Sequence, residues 1–230
     1  MKIQVASTLL LFFFMAGCVS IPREKIEIER YSIDPPETIV KSDTTFDLTL
    51  FVQPFQGDAE NRGDRILFRE DQHTLNYYYY HRWIVPPEKN LTDILATTLT
   101  KWKMFGGGVF EQETGIVPTH EIHGRLLDLH AENGRKDRSA ILEIKLTVIR
   151  IHPETYLHTP IFQKIYLVAE PRPNTSVESY ITAVNNAVEQ WLLLVRYDLE
   201  ALFLQEAQLF NELRGKKQNY SQQRMEGDLR

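Results

Sequence analysis

The groups that could carry chemistry are seven histidines, a single cysteine and a scatter of carboxylates. The most suggestive histidines stand in His120-Glu121-Ile122-His123. This is not the H-E-x-x-H pattern, which puts two imidazoles on one helical face. The segment reads as a strand, where residues three apart face opposite sides, so the two rings cannot share one ion. The sequence has no G-x-S-x-G elbow and no carboxylate pair in a recognisable acid–base pattern. Gly106-Gly107-Gly108 is the glycine-rich run, but it lacks G-x-G-x-x-G or P-loop spacing and follows a predicted helix, not a strand. The sequence therefore predicts no catalysis, no metal and no cofactor. Two features remain: Cys18, and the aromatic run from Tyr77 to Trp83.

That run lies in Arg65 to Pro87, RILFREDQHTLNYYYYHRWIVPP. Aromatic residues fit a pleated surface, and successive side chains point to opposite faces. Strict alternation puts Tyr78, Tyr80 and Arg82 on one face and Tyr77, Tyr79, His81 and Trp83 on the other. Aromatics on both faces predict cover on both, by core on one side and by a helix or partner on the other. Sheet core accounts for most of these residues; a platform for sugar, lipid or single-stranded nucleic acid is the alternative. Arg82, set between aromatics, is expected to stack on a ring or pair with a buried acid. Tyr77, Tyr79, His81, Arg82 and Trp83 are the candidate partner or oligomer interface.

Cys18 follows a leader. Lys2 gives a positive start, Ile3 to Met15 is apolar, and Ala16 and Gly17 are small. This is a secretory signal layout, too short for a comfortable membrane span. A lone cysteine cannot form an intrachain disulfide. Met15-Ala16-Gly17-Cys18 resembles the lipobox of bacterial lipoproteins, with Met15 where Leu is usual. That resemblance implies that Cys18 is lipidated and becomes the mature N-terminus. Val19, rather than Asp, follows it, which by the same resemblance implies the outer membrane. More than one acyl chain is needed for stable anchoring, and a multiply acylated cysteine supplies them.

The elements that must carry these residues follow in order. The 230 residues are 43% hydrophobic and 25% charged, an ordinary globular composition. The net charge of −5, with no basic stripe, argues against a nucleic-acid partner. Strands are predicted over 25–33, 46–55, 66–69 and 74–85. Pro86-Pro87-Glu88 starts a helix, with Leu91, Ile94, Leu95, Thr98, Leu99, Trp102 and Phe105 on one stripe and the three glycines as its stop. Three long strands follow, over 120–131, 140–151 and 157–169. Thr175-Ser176-Val177-Glu178 matches a capping box. It opens a long helix with Val177, Ile181, Val184, Val188, Trp191, Val195, Leu199 and Leu202 inward. The core-packed part should end near Leu204. The resulting expectation is an α+β, two-layer fold: a mostly antiparallel mixed sheet of about six or seven strands on two main helices. Residues 1–17 are the signal peptide, 18–25 a tether, 26–212 the domain and 213–230 a disordered polar tail.

The order of these segments carries a resemblance. After the lipobox come an early Tyr-Ser-Ile strand, a Leu-Phe-Val-Gln-Pro-Phe strand, Ile66-Leu67-Phe68-Arg69, and then Tyr78, Trp83 and Pro87 before a helix. This resembles the ABC-type transport auxiliary lipoprotein family, the partners of MCE (mammalian-cell-entry type) lipid transport systems. Phe68 stands where that family's pattern has Tyr. The resemblance implies a non-catalytic component at the periplasmic face of the outer membrane. It would meet an MCE-type periplasmic protein, and through it an ABC permease and ATPase of the inner membrane. The ATPase hydrolyses the ATP, in keeping with the missing P-loop. A homo-oligomer or ring is expected from the aromatic strand and the long final helix. Two other readings stay open: a lipid carrier that itself holds an acyl chain, and a general envelope assembly lipoprotein.

Overall fold

The structure is a computed structural model. It describes residues 27–227 apart from 38, 72, 113–114 and 135–137, with side chains described as far as Glu212. Cys18, the expected leader and the whole of the expected tether lie outside the described residues.

The long strands follow the alternation of the sequence. β1 (Glu29–Tyr31), β2 (Leu50–Val52), β3 (Gln56–Gly57), β4 (Arg65–Arg69) and β5 (Leu75–Trp83) precede helix α1 (Pro87–Trp102). β6 (Val109–Phe110), β7 (His120–Asn133), β8 (Arg138–Ile151) and β9 (His158–Pro171) lead to helix α2 (Val177–Gly227). In β8, Ala140, Leu142, Ile144, Leu146 and Val148 are buried while the residues between them are half-exposed. The period of two therefore lays one apolar face on the helices.

All nine strands join one mixed sheet, and β7 is its hub. One edge of β7 pairs antiparallel with β8 along nearly its whole length, and β8 pairs antiparallel with β9. The other edge takes three short parallel strands in turn: β2 at His120–Ile122, β3 at Arg125–Leu126 and β4 at His130–Glu132. The long ladders are antiparallel, as expected. The strand number exceeds the expectation because β3 and β6 are only two residues long, below what periodicity reveals. The order β1-β5-β4-β7 sets the β4–β5 pair toward one edge. β7 has a bulge between Leu126 and Asp128. The buried Asn61 side chain reaches across it, donating to Leu127 O (2.8 Å) and accepting from Leu129 N (3.1 Å). An unpaired ladder group is thus satisfied by a side chain.

Both helices cover the same face. Phe55 shows this best: its N–H donates to Thr92 Oγ1 of α1 (2.9 Å), and its ring meets Trp191 of α2 edge-on at 6.3 Å. The ring lies over Gly124, where a Cβ would collide with it. Helix α1 buries the expected stripe, Leu91 to Trp102. It stops earlier than the glycines predict. Lys103 takes the left-handed conformation (φ 58°) and its N–H bonds Thr100 O. The glycines serve another purpose. Gly107 passes so close to Leu48 and Thr49 that a side chain would not fit, and Gly106 and Gly107 donate to Phe46 O and Leu48 O (2.7 and 3.0 Å).

Helix α2 begins one residue later than the capping box predicts. Ser176 is the cap, accepting from Ser179 N (3.2 Å), and Asn174 accepts from Ser176 N (2.9 Å). Its buried stripe includes Tyr180 and Phe203, while the predicted Ile181 and Leu202 are only half-buried. The backbone is helical through Gly227, beyond the boundary expected at 213. The segment is rich in Lys, Gln, Arg and Glu, which are good helix formers even where no apolar face is present.

One feature escaped sequence reading. Residues 31–46 run as a strap along α2 from its first turn toward Phe203. Asp34 N bonds Asn185 (3.1 Å), Arg196 bonds Val40 O and Lys41 O (3.0 and 3.2 Å), and Ser42 bonds Glu200 (2.9 Å). Phe46 ends the strap, 5.6 Å from the Phe203 ring.

Candidate functional site

The aromatic run is β5, but its two faces are not those of a regular strand. Arg65 is opposite Arg82, and Leu67 is opposite Tyr77. Two steps on β4 therefore face five on β5, and the extra residues form a wide bulge. The alternation slips within the bulge, and every side chain past the slip changes side.

The inner side holds Tyr78, His81 and Trp83. The Tyr78 ring packs on Phe68 at 4.7 Å, and its hydroxyl donates to Thr175 O (3.4 Å) and accepts from Asn133 (3.2 Å). His81 lies 5.7 Å from the Tyr31 ring, with Nδ1 3.1 Å from the Tyr31 hydroxyl and 3.3 Å from Glu29. Trp83 is 2% exposed and leans on Tyr180 at 6.2 Å. It is a core residue and cannot line an interface, which corrects the expectation for that position.

Tyr77, Tyr79 and Tyr80 stand on the outer side, all exposed. Tyr77 and Tyr79 stack at 6.4 Å, and Tyr79 and Tyr80 meet edge-on at 5.0 Å. The Arg65 guanidinium lies 4.7 Å over the Tyr77 ring, and that of Arg82 lies 5.5 Å from it. Arg82 also donates to the carbonyls of Tyr78 (2.7 Å) and His81 (3.1 Å). It thus braces the bulge by satisfying carbonyls that the slipped ladder leaves unpaired. Its acid, Asp64, is 4.0 Å away and half-exposed, so the expected buried ion pair is not what holds it. Among the described residues no helix covers the face opposite the core; of the two covers expected there, a helix is not what lies over Tyr77, Tyr79 and Tyr80.

Of the five candidate residues, the structure brings Tyr77, Tyr79 and Arg82 together on one surface and turns His81 and Trp83 inward. Arg65 and Tyr80 complete the patch. A register slip has no local signature, so neither was legible as part of it.

Behind the patch, β1, β5 and the start of α2 share a polar knot. The Tyr31 hydroxyl donates to Glu29 (2.5 Å) and reaches Glu178 (3.4 Å). Burial and the two carboxylates hold the Tyr31 hydroxyl well above its ordinary range. Its own backbone N–H and the Ser176 hydroxyl hold the Glu178 carboxyl below its usual range, as suits an acid at a helix N-terminus.

The two histidines of His120-Glu121-Ile122-His123 do face opposite sides. His120 is buried under α2, with Nε2 3.1 Å from Glu206, while His123 lies on the outer face against Glu121 (2.8 Å). Among the described residues, no group of three or more His, Cys, Asp or Glu is placed to hold a metal ion. Nor is any described helix long and apolar enough to cross a membrane.

The fold is similar to that of protein XCC0632 from Xanthomonas campestris, with a TM-score of 0.67 and 15% identity, over 78% of this chain and 98% of that one. An uncharacterized protein matches with a TM-score of 0.59 and 8% identity, over 75% and 99%. Hypothetical protein CT253 from Chlamydia trachomatis matches at 0.50 and 7%, over 69% and 98%. At such identities the likeness shows the fold alone. No curated protein matches the sequence. Residues 31–193 match the family described as ABC-type transport auxiliary lipoprotein component, so this chain belongs to that family.

Proposed function

We propose that this chain is the lipid-anchored auxiliary component of an MCE-type lipid transport system, sited at the periplasmic face of the outer membrane. Cys18 carries the acyl chains. The folded domain docks the MCE-type periplasmic protein, and the ABC permease and ATPase work through that partner. The chain does no catalysis itself. The exposed patch of Tyr77, Tyr79, Tyr80, Arg65 and Arg82 is the side-on contact, either to another copy or to the partner. Tyrosine and arginine suit such a role because they offer large contact area with polar ends.

The observation that carries this reading is the family match over 31–193, following a leader that ends at the only cysteine. Cys18→Ser tests the anchor. It should abolish palmitate labelling and leave the leader uncleaved. Processing and membrane retention that continue unchanged in the variant would overturn it.

One observation favours a second reading, in which the domain itself holds an acyl chain. A largely apolar groove of about 540 Å³ opens between Thr45–Leu48 and α2, within the size range of small-molecule sites. Native mass spectrometry of the purified lipoprotein separates the two readings by the presence or absence of a bound lipid.

A further inference from the structure

The groove lies at one end of the molecule, and the ladders fix which end. His120 of β7 pairs with Arg150 of β8, and Ile151 pairs with His158 of β9. The start of β7, the end of β8 and the start of β9 therefore share this end. The groove floor is Phe46 and Phe203, with Leu48 and Phe210 on its walls.

Apolar side chains project around it. Ile116 and Val117 lie on the loop entering β7, Tyr156 and Leu157 on the β8–β9 turn, and Leu209 and Phe210 on α2; each is more than half exposed. The turn is shaped to present them. Tyr156 has a positive φ of 55°, an uncommon conformation for a bulky residue, fixed by Tyr156 N donating to His152 O (2.8 Å) and His152 N donating to Leu157 O (3.0 Å). Monomeric surfaces seldom gather apolar residues so closely without an interaction to serve.

The chain outside the described residues says what can reach this end. The strap along α2 runs from Glu178 toward Phe203, so the described chain begins at the first-turn end of α2. Glu178 and Glu206 are 28 residues apart on one helix, about 42 Å. Cys18 is nine residues before Glu27, a reach of about 30 Å fully extended. That reach is shorter than the separation, so an anchor at Cys18 keeps the groove end from facing the bilayer end-on.

The polar side of the groove points the same way. Arg150 and His120 both meet the Glu206 carboxylate, at 3.0 and 3.1 Å. The cation that an anionic headgroup would need is already paired. Projecting side chains around an open groove fit another surface, not an enclosed small molecule.

We infer that this end is a docking surface for an uncharged, apolar segment of a protein partner, presented away from the anchoring membrane. The inference rests on the reading of Cys18 as anchor. The test uses the full-length lipoprotein in its native envelope, with a photo-crosslinking residue at Tyr156, at Phe210 or, as control, at Tyr197, exposed on α2 outside both the groove and the aromatic patch. Tyr156 and Phe210 should both crosslink to one second polypeptide belonging to the transport assembly. Phe210→Glu should cut the Tyr156 yield by about thirtyfold, the loss expected of a buried aromatic anchor, with the thermal melt unchanged. Crosslinks to phospholipid, to a second copy or to nothing would overturn the inference. Detergent-phase partitioning of the same cells separates the two claims. An aqueous protein that still crosslinks refutes the anchor but not the surface; an anchored protein that crosslinks only lipid refutes the surface.

Discussion

The hydroxyl of Tyr31 lies 3.4 Å from the carboxylate of Glu178, 147 residues further along the chain. This contact joins the entry of the folded domain to the first turn of its longest helix. The strap that begins here then follows the helix toward Phe203, giving the domain an entry end and a far end. The aromatic patch sits at the first and the apolar groove at the second.

Trp83 is the main anchor of the entry end. It is 2% exposed and packs on the fully buried Tyr180. Trp83→Ala should cost about 3–5 kcal/mol, read as a fall in the urea midpoint at constant slope. A cost under about 1 kcal/mol, the range of surface substitutions, would mean that the ring is not core.

Tyr79 is its opposite, 67% exposed and in contact with the rings of Tyr77 and Tyr80. Tyr79→Glu should change stability by no more than about 0.5 kcal/mol. It should nonetheless lower the apparent mass of the assembly by light scattering, with or without the proposed MCE-type partner. An unchanged mass would remove the patch as an interface.

Alkaline pH should destabilise the fold. Burial and the Asp198 carboxylate raise the pKa of Tyr166, and burial raises that of Tyr180. In the unfolded chain both ionise near pH 10, whereas the folded chain keeps their protons. The unfolded state then binds fewer protons, so stability is full below about pH 10 and falls above it. The slope should approach about 1.4 kcal/mol per pH unit for each of the two tyrosines. Denaturation at pH 8 and pH 11 measures it, and Tyr180→Phe should flatten it by one such share.

Lys103 ends α1 with a positive φ of 58°. Lys103→Gly should hold or raise stability, since glycine takes that conformation freely. Lys103→Val should stand about 1–2 kcal/mol below Lys103→Gly. Equal melting temperatures for the two variants would show that the terminus relaxes.

These contrasts show what the sequence could reveal. The apolar stripe of α1 and the alternation of β8 recur at fixed periods, so both elements were legible. So was the split of His120 and His123, because a strand has only two faces. The aromatic faces were not legible, because the β5 bulge depends on which residue of β4 stands opposite. The strap was equally hidden: its contacts, such as Arg196 with the carbonyls of Val40 and Lys41, bridge about 155 residues and follow no period. The three glycines misled for a related reason. The need for Gly107 lies in its close passage by Leu48 and Thr49, not in the helix it follows.

The most direct measurement is affinity purification of the intact protein, carrying the proposed Cys18 anchor, from solubilised envelopes, followed by mass spectrometry and sizing. The expected result is co-elution, in one assembly, with an MCE-type protein and with its permease and ATPase in smaller amounts. An acylated protein that elutes alone, or with envelope proteins unrelated to transport, would contradict the proposed function.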